Sequence, residues 1–594
     1  MHRGIIAICA AAVVLGCSMA SADPRPLILV NHIGYDVRGS KKVVVQSGTE
    51  GGYDAFQVIA ADDRVVFEGK LAGPTAVDRW SRGVFAVGTF SDLEQPGTYR
   101  IAVTGSGGRI TSPPFTIAPN LLPEASISDV LFYLKGQRSS GKFDKTDRSI
   151  PFYGEKRKPV DVHGGWFDAS GDTSKYLSHL SYANYMNPQQ TPLVVWALLE
   201  ADSLLRGVKS ERLRGLEWRL QDEALHGADF LVRMQDPAGY FYITVFDKWT
   251  KDLKQREISA YATQNGIKSS DYQAGFREGG GMAIAALARA STLSSSGEFA
   301  SSRYLDAATK GFAHLQQHNR EYLDDKQENI IDDYCALLAA TELYHATKKP
   351  EFLDAARLRR ASLINRLSKD DKFDGFWRAD DKGARPFFHA SDAGLPVVAL
   401  LRYATVETEA AQRDEALNAV RRSLQFELTI TREVANPFGY ARQYVKDLGK
   451  GTRSAFFFPH ENESGYWWQG ENARLGSLAA AALLGARHTS GDMRRDLETY
   501  AVDQLNWIFG LNPFDASMQH GKGRNNPDYM PEWPNAPGGV CNGITSGFAD
   551  EHDIALLPMP QAEDPAQNWR WGEQWIPHGS WLVLALAAQA SLIE

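Results

Sequence analysis

The segment Gly279-Gly280-Gly281-Met282-Ala283-Ile284-Ala285-Ala286-Leu287-Ala288-Arg289-Ala290 decides the fold class of this chain. It is apolar at helical spacing, and Ala283, Ala286 and Ala290 form a face of small side chains. Such a face lets a second helix approach closely. The four alanines at 479–482 repeat the pattern later in the chain. The sequence therefore predicts tightly packed helices.

Further segments with helical periodicity follow from Pro119 onward. They include 191–205, 213–234, 279–293, 331–347, 390–403, 472–486, 493–509 and 579–592. We expect residues 119–594 to form one all-α domain in which antiparallel helix pairs close into an α/α barrel. The polar motifs fall between the helices, so the loops at one end are expected to carry the chemistry.

Residues 23–118 have a different character. Short β-prone runs alternate with period two, as in Tyr99, Ile101 and Val103, and turn residues such as Gly73-Pro74 separate them. This pattern predicts a small β-sandwich. The segment holds no cluster of titratable groups, so we expect its role to be structural.

The first 22 residues are typical of an export signal. His2 and Arg3 precede the apolar run 5–15, and Ala20-Ser21-Ala22 provides a cleavage site. The protein is therefore predicted to be periplasmic or secreted. Leu15-Gly16-Cys17 is also similar to a lipobox, which would leave a lipid anchor on Cys17. No later stretch is apolar enough to span a bilayer.

The charge balance excludes several classes of partner. Lys and Arg total 64 against 72 Asp and Glu, which gives a net charge of -8. Such a chain lacks the basic field that attracts nucleic acid or an anionic membrane. A neutral substrate fits better, and the 14 tryptophans offer flat faces for it. Cys335 and Cys541 belong to no metal-binding pattern and are either paired or free.

Two acidic clusters, far apart in the chain, set carboxylates among tryptophans. Asp168 and Asp172 lie in the Gly-rich stretch 164–172, and Glu573 lies between Trp571 and Trp575. Two carboxyl groups facing one glycosidic bond can protonate the leaving oxygen and activate water. The alternative for Asp172 is capping of a helix expected after Lys175. The alternative for Glu573 is a first-turn residue of the last helix.

Other aromatic and polar side chains near these clusters or in the blocks 456–474 and 507–526 suit a sugar site, where rings stack and hydroxyls are hydrogen-bonded. Packing inside the helical core is the alternative for several of them. The candidate substrate-binding residues are Trp166, His460, Glu461, Trp467, Trp468, Arg474, His520, Arg524, Trp571 and Trp575.

In this order the blocks resemble glycoside hydrolase family 9. The stretches 27–35 and 95–99 are similar to the immunoglobulin-like module that precedes many of its catalytic domains. The stretches 234–241, 279–282 and 506–513 are similar to recurring blocks of its (α/α)6 barrel. The resemblance implies an immunoglobulin-like sandwich followed by an (α/α)6 barrel that hydrolyses β-1,4 links in glucan-type chains.

The family mechanism is inversion. The resemblance implies that Asp172 is the general base, that Asp168 helps it to hold water, and that Glu573 is the general acid. A carboxyl separation of about 6.5–9.5 Å is expected for inversion. No cofactor is required for the chemistry. Family members often hold structural calcium, yet the chain has no Asp-x-Asp-x-Asp-Gly loop.

Two departures from the family pattern keep other substrates open. The turn Asp168-Ala169-Ser170-Gly171-Asp172 has one extra residue, and Asn525-Asn526-Pro527 stands where a His-His-Arg segment is usual. This layout resembles a subgroup of exo-acting enzymes that includes exo-β-glucosaminidases on chitosan oligosaccharides. Asp528 or Glu461 would then pair with a substrate amine. A non-catalytic glycan-binding protein and a polysaccharide lyase are the alternatives of other classes.

Overall fold

The computed structural model describes residues 26–48, 52–105, 108–383, 385–465, 468–532, 534–558 and 565–593. The predicted signal peptide with Cys17 lies outside these residues, and so does Trp467. Within the described ranges, the search for membrane-spanning segments finds no helix of sufficient length and apolar character.

The N-terminal domain consists of two packed sheets. One has the strand order β1-β3-β7-β6 and the other β2-β10-β8-β4-β5, with β9 paired to β8. All pairs are antiparallel except β2 with β10. The strands are β1 Leu27–Leu29, β2 Gly34–Asp36, β3 Lys42–Ser47, β4 Ala55–Ala60, β5 Val65–Lys70, β6 Ala72–Ala76, β7 Val84–Thr89, β8 Gly97–Gly105, β9 Gly108–Thr111 and β10 Phe115–Ala118. The predicted immunoglobulin-like sandwich is confirmed.

Strand β3 shows how this domain is joined to the next. Val43 and Val45 point into the core between the two sheets, while Val44 points to the opposite face and packs with the core of the helical domain. This division follows from the two-residue period of a strand. Phe85 on β7 shares the outer face and meets Phe438 with ring centroids 5.1 Å apart. The sandwich is therefore packed onto the barrel through one sheet.

The helical domain is an (α/α)6 barrel, as predicted. In the described part of the chain, six inner helices form a closed ring in the order α3, α6, α8, α10, α12 and α15, and α15 packs back against α3. The outer helices α1, α5, α7, α9, α11 and α13 cover them. The helices are α1 Leu121–Gln137, α2 Gly141–Asp147, α3 Thr191–Leu205, α4 Glu211–Arg214, α5 Glu217–Arg233, α6 Gly281–Ala290, α7 Ser301–Tyr322, α8 Ile330–Thr347, α9 Pro350–Asn365, α10 Leu395–Ala404, α11 Ala410–Thr431, α12 Asn472–Ala486, α13 Gly491–Ile508, α14 Trp569–Gly572 and α15 Ile576–Ile593.

Short strands and turns decorate the ends of the barrel. The strands are β11 Lys175–Tyr176, β12 Phe241–Tyr242, β13 Thr244–Phe246, β14 Glu257–Ala262, β15 Ile267–Ser269, β16 Gln273–Ala274, β17 Leu367–Lys369, β18 Asp374–Trp377, β19 Gln443–Lys446, β20 Thr452–Ala455, β21 Thr545–Ser546 and β22 Ile554–Ala555. A π-helical turn, Phe276–Gly280, leads into α6, and 3-10 turns cover Leu253–Gln255 and Pro565–Gln567.

Small residues bring the inner helices close together, as the alanine faces predicted. Every residue of α6 is buried. A Cβ atom added at Gly281 would lie 2.8 Å from the Cβ of Cys335 on α8, so only glycine fits this contact. Cys335 and Cys541 are both buried free thiols.

The prediction of a helix directly after Lys175 is wrong. Lys175 and Tyr176 form strand β11 against β13, and the chain then runs without a helix to Gln190. The reason is the Lys175 ammonium, which is buried and held by Asp147 and the carbonyl of Val162, both at 2.7 Å. Asp172 therefore caps no helix, and the alternative interpretation of Asp172 as a helix N-cap is wrong.

Candidate active site

Main-chain hydrogen bonds tie the two acidic clusters together at one end of the barrel. The amide of Ser170 donates to the carbonyl of Gln574 at 2.9 Å, and the amide of Ile576 donates to the carbonyl of Asp168 at 3.1 Å. Ala169 pairs with Trp575 as an isolated antiparallel bridge. Carboxyl groups that are four hundred residues apart in sequence thus meet because two short segments pair like strands.

Glycines give the 164–172 segment its path. Gly165 has φ 71°, and a Cβ there would lie 2.7 Å from the ring of Phe230. Gly171 has φ 84°, which closes the turn between the two aspartates so that the Asp172 amide donates to the Ala169 carbonyl at 3.2 Å. Side chains other than glycine rarely adopt such φ values. The extra residue of this turn is therefore accommodated by backbone geometry.

The paired segments form one wall of a cavity of about 470 Å³. Its lining combines carboxyl groups, aromatic rings and a few uncharged polar groups. The described lining residues are Asp168, Ala169, Gly171, Asp172, His179, Leu180, Trp249, Gln264, Gln469, Tyr529, Met530, Ala566, Trp569, Glu573 and Trp575. They include three carboxylates and neither lysine nor arginine. This composition suits a polar, uncharged or cationic ligand with flat faces.

Asp168 is a buried carboxyl group, and no described lysine or arginine forms an ion pair with it. Its Oδ2 accepts a hydrogen bond from Trp575 Nε1 at 2.7 Å, while its buried Oδ1 has no hydrogen-bond partner among the described residues. Burial, followed by the negative charge of Asp172, raises the pKa of Asp168 well above its ordinary value. The Trp575 hydrogen bond opposes this rise. The free Oδ1 is available to a reactant.

Asp172 is held by two donors. Its Oδ1 accepts from the Ser174 amide at 2.7 Å and its Oδ2 from the Tyr176 hydroxyl at 2.9 Å. Trp249 Nε1 donates in turn to the Tyr176 oxygen at 3.1 Å. Burial and then the charge of Asp247 raise the pKa of Asp172 to about 6. A carboxyl group with this pKa can accept a proton near neutral pH.

Glu573 occupies the residue after the one-turn helix α14, where its backbone leaves the helical conformation. Its carbonyl accepts from the Asn542 amide at 2.8 Å, which fixes its position at the cavity wall. Burial and the charges of Asp172 and Asp168 raise the pKa of Glu573 well above its ordinary value. A protonated carboxyl group near neutral pH is what a general acid requires.

Of the predicted sugar-binding residues, the structure places Trp575 in the cavity lining. The others that it describes fill different roles. Trp166 is fully buried and donates to Glu223 at 2.7 Å. Trp571 is also buried and donates to Thr545 at 3.2 Å. Arg474 is buried in an ion pair with Glu471. These three buried side chains are therefore not part of the cavity lining.

The remaining predicted residues lie outside the lining. His460 contacts Ser546 at 2.7 Å and stacks on Trp468, with ring centroids 4.6 Å apart. Trp468 also lies under the guanidinium of Arg570, 3.7 Å from its ring centroid.

The other three described residues, Arg524, His520 and Glu461, also lie outside the cavity lining. Arg524 binds Asp515 at 2.7 Å, close to the junction with the sandwich, and His520 belongs to the same loop. Glu461 is largely exposed and pairs with Lys450 at 2.9 Å, which leaves it away from the cavity.

Four aromatic lining residues were not among the predicted substrate-binding residues: His179, Trp249, Tyr529 and Trp569. Trp569 stands in the same cluster as Trp571, and helix α14 turns the two rings to different sides. A helical turn over this cluster was therefore the sequence feature that could have identified Trp569 as a lining residue. No motif marks the other three, which reach the cavity through loops.

Two of the cavity carboxylates also belong to the metal candidate among the described residues. Asp168, Asp172 and His179 are the one set of three acidic, His or Cys side chains whose ligand atoms all lie within 4.8 Å of one another. Calcium prefers oxygen ligands, so an imidazole in the set does not suit it. The set does not fit the structural calcium that the resemblance suggests.

The fold is an α/α barrel, and one end of the barrel carries a cavity lined by Asp168, Asp172 and Glu573. Residues 126–532 match the family model of glycosyl hydrolase family 9, and residues 23–108 match the cellulase N-terminal ig-like domain. The chain belongs to glycosyl hydrolase family 9. The family match includes Asp168 and Asp172 and ends before Glu573.

Similar proteins agree with this assignment. A cellodextrinase of Butyrivibrio fibrisolvens is 29% identical over 266 residues, which cover 39% of this chain and 46% of that protein. A metagenome-derived family 9 endoglucanase has a TM-score of 0.65 at 18% identity, covering 96% of this chain and 99% of its own. A Bacteroides ovatus family 9 protein has a TM-score of 0.64 at 19% identity and the same coverage. The chain thus spans about half the length of the curated relative and nearly all of the two solved structures.

Proposed function

We propose that this protein is an inverting glycoside hydrolase that cleaves β-1,4 links in glucan-type oligosaccharides or polysaccharides. The observation that carries the proposal is the cavity itself: Asp168, Asp172 and Glu573 converge there without a neutralising lysine or arginine among the described lining residues. Family membership and the similarity to a cellodextrinase and to an endoglucanase support the substrate class.

In the proposed mechanism each carboxyl group has one task. Asp172 accepts a proton from the attacking water, and Asp168 helps to orient that water through its free Oδ1. Glu573 donates its proton to the leaving glycosidic oxygen. Its raised pKa keeps that proton in place near neutral pH. The rings of Trp249, Trp569 and Trp575 offer faces for the sugar units.

A chitosan-type substrate is the second candidate. The lining described for the cavity is acidic and lacks lysine and arginine, so it favours a protonated amine as well as a neutral sugar. Glu461, one of the acids considered for this role, is paired with Lys450 outside the cavity. The amine would therefore have to meet the catalytic carboxylates or groups near Tyr529.

The first test offers cellohexaose and a chitosan hexamer separately to the purified chain. Shortened cello-oligosaccharides from the first substrate support the proposal, and glucosamine from the second substrate alone would replace it with the chitosan candidate. Monomer as the sole early product would indicate cleavage from chain ends. The Glu573→Gln variant separates an enzyme from a glycan-binding protein, because binding survives this change and turnover does not. An unsaturated product would instead indicate a lyase.

We also propose that the chain is exported. The basis is the sequence of residues 1–22, with its apolar run and small-residue cleavage site. Mass determination of the mature N-terminus tests this: a chain beginning at Asp23 supports cleavage, and a lipid-modified Cys17 would indicate membrane anchoring.

A further inference from the structure

His179 is a cavity residue to which the family resemblance gave no role. It lies seven residues after Asp172 and reaches the same wall. Its ring contacts that of Tyr176 in a tilted arrangement, with centroids 4.5 Å apart, and its Nε2 lies 3.9 Å from Asp168 Oδ2. That distance is too long for a direct hydrogen bond, so a water molecule in the cavity beside both atoms is the partner they can share.

The hydrogen bonds around Tyr261 determine where His179 carries its proton. The Leu180 amide donates to the Tyr261 oxygen at 3.0 Å, and the Tyr261 oxygen lies 2.9 Å from His179 Nδ1. Within the described residues, Nδ1 is the acceptor that the Tyr261 hydroxyl meets. The hydroxyl therefore donates to Nδ1, which assigns the ring proton to Nε2. His179 presents an N–H donor to the cavity.

Burial keeps this donor uncharged. Desolvation lowers the pKa of His179 to about 3, so the ring is neutral wherever the enzyme would be assayed. A neutral ring with Nε2 already protonated has no lone pair left at that atom for a metal ion. The same three side chains that could hold a cation are therefore better matched to a water molecule, which needs two to four polar partners.

We propose that His179 is a catalytic residue that positions the attacking water by donating its Nε2–H to the water oxygen. The water then donates its two hydrogens to Asp168 and Asp172, whose ligand atoms lie within 4.8 Å of each other and of the imidazole. One lone pair of the water remains for the anomeric carbon. The inference rests on the proposed function and deepens it.

The step balances without any further reactant. The water oxygen forms a bond to the anomeric carbon while the bond from that carbon to the leaving oxygen breaks. One water proton passes to Asp172, and the Glu573 proton passes to the leaving oxygen. His179 keeps its proton throughout and acts as a fixed donor.

The experiment compares two substrates that differ in their need for an acid. β-Cellobiosyl fluoride releases fluoride, which leaves without being protonated. Its hydrolysis therefore depends on the residues that position and deprotonate the attacking water, and not on the general acid. We expect His179→Phe to lower kcat by about 10- to 100-fold on both cellohexaose and this fluoride, since a buried donor is lost. KM should change little because the donor holds the water. Glu573→Gln should lose rate on cellohexaose and retain most of it on the fluoride.

Two further variants separate positioning from folding. His179→Gln retains an N–H at the ε position and should recover part of the lost kcat. His318→Phe, at a partly exposed histidine on α7, is the matched control and should behave as the original chain does. Melting temperatures of all variants show whether the fold persists.

An active original chain whose His179→Phe variant keeps full kcat on β-cellobiosyl fluoride would overturn this inference and leave the proposed function standing. An original chain that hydrolyses neither substrate would overturn both.

Discussion

Two buried carboxylates in the barrel, Asp168 and Glu342, have the same kind of hydrogen-bond donor but differ in the charges around them. Each accepts a hydrogen bond from a tryptophan Nε1, Asp168 from Trp575 at 2.7 Å and Glu342 from Trp196 at 2.9 Å. Glu342, on α8, also binds Arg402 at 2.8 Å. Asp168 faces the cavity and the like charge of Asp172.

The pKa values of the two groups move in opposite directions. Burial alone would raise the pKa of Glu342, yet the positive charges of Arg402 and Arg289 outweigh it and lower the pKa below the ordinary range. Burial and a neighbouring anion raise the pKa of Asp168. A compensated buried charge stabilises a fold, whereas an uncompensated one costs stability and is kept where chemistry uses it.

The largest effect is expected at the general acid. Glu573→Gln should lower kcat on cellohexaose by about 10²–10⁴-fold, because the leaving oxygen no longer receives a proton. The melting temperature should stay the same or rise, since a buried acid is replaced by an amide. Steady-state kinetics and thermal unfolding measure both, and a variant that melts earlier without losing rate would assign Glu573 to the fold.

The opposite outcome is expected at Glu342. Glu342→Gln leaves Arg289 and Arg402 without their buried partner and should cost about 3–5 kcal/mol of unfolding free energy. Activity per folded molecule should remain. Denaturant unfolding and kcat of the Glu342→Gln variant are measured together. A variant that lost rate at unchanged stability would contradict the structural role assigned to Glu342.

The two tryptophan donors should differ in the same way. The Trp575 hydrogen bond lowers the pKa of Asp168, so Trp575→Phe should raise that pKa and move the acidic limb of the pH–rate profile to higher pH. We expect roughly a tenfold loss of kcat/KM at the acidic end. Trp196→Phe is the matched control and should leave the profile in place while reducing stability.

The smallest effect concerns stability and pH. The pKa of Asp172 rises from 3.8 to about 6 on folding, so the folded chain binds this proton more tightly than the unfolded chain. Its contribution to stability is present below about pH 4 and is lost as pH rises through 6. The shift corresponds to about 3 kcal/mol at pH 7.5. Asn has one oxygen for the two donors that Asp172 now meets, which offsets part of this, so Asp172→Asn should be about 1–2 kcal/mol more stable than the original chain at pH 7.5. A gain that persists unchanged at pH 4 would contradict this origin.

How well the helices could be predicted depended on where they lie in the barrel. The predicted segments include all six inner helices of the described chain, and 191–205 and 472–486 have the observed bounds. These helices are apolar on nearly every side. The outer helices α1, α7, α9 and α11 were not among those segments. Of these, α7, α9 and α11 are less apolar on average than the inner helices α3 and α12, so a reading based on apolar runs passes over them.

Some residues of the candidate site could also be predicted from the sequence, and others could not. Asp168, Asp172 and Glu573 could be singled out in the sequence because they stand close to tryptophans, two of them in a glycine-rich stretch. Their partners could not, since His179 and Trp249 reach the cavity through loops whose course depends on distant contacts. Arg474 looked like a sugar ligand beside aromatic residues, yet its buried pairing with Glu471 makes it structural. Sequence alone does not show which buried charge has a partner.

The most direct test of the account is the anomeric form of the first product from cellohexaose, followed by NMR before mutarotation. The account predicts the α-anomer, because water held by Asp172 and Asp168 attacks the face opposite the leaving group that Glu573 protonates. Initial release of the β-anomer would show retention and would contradict the assignment of a water-holding pair.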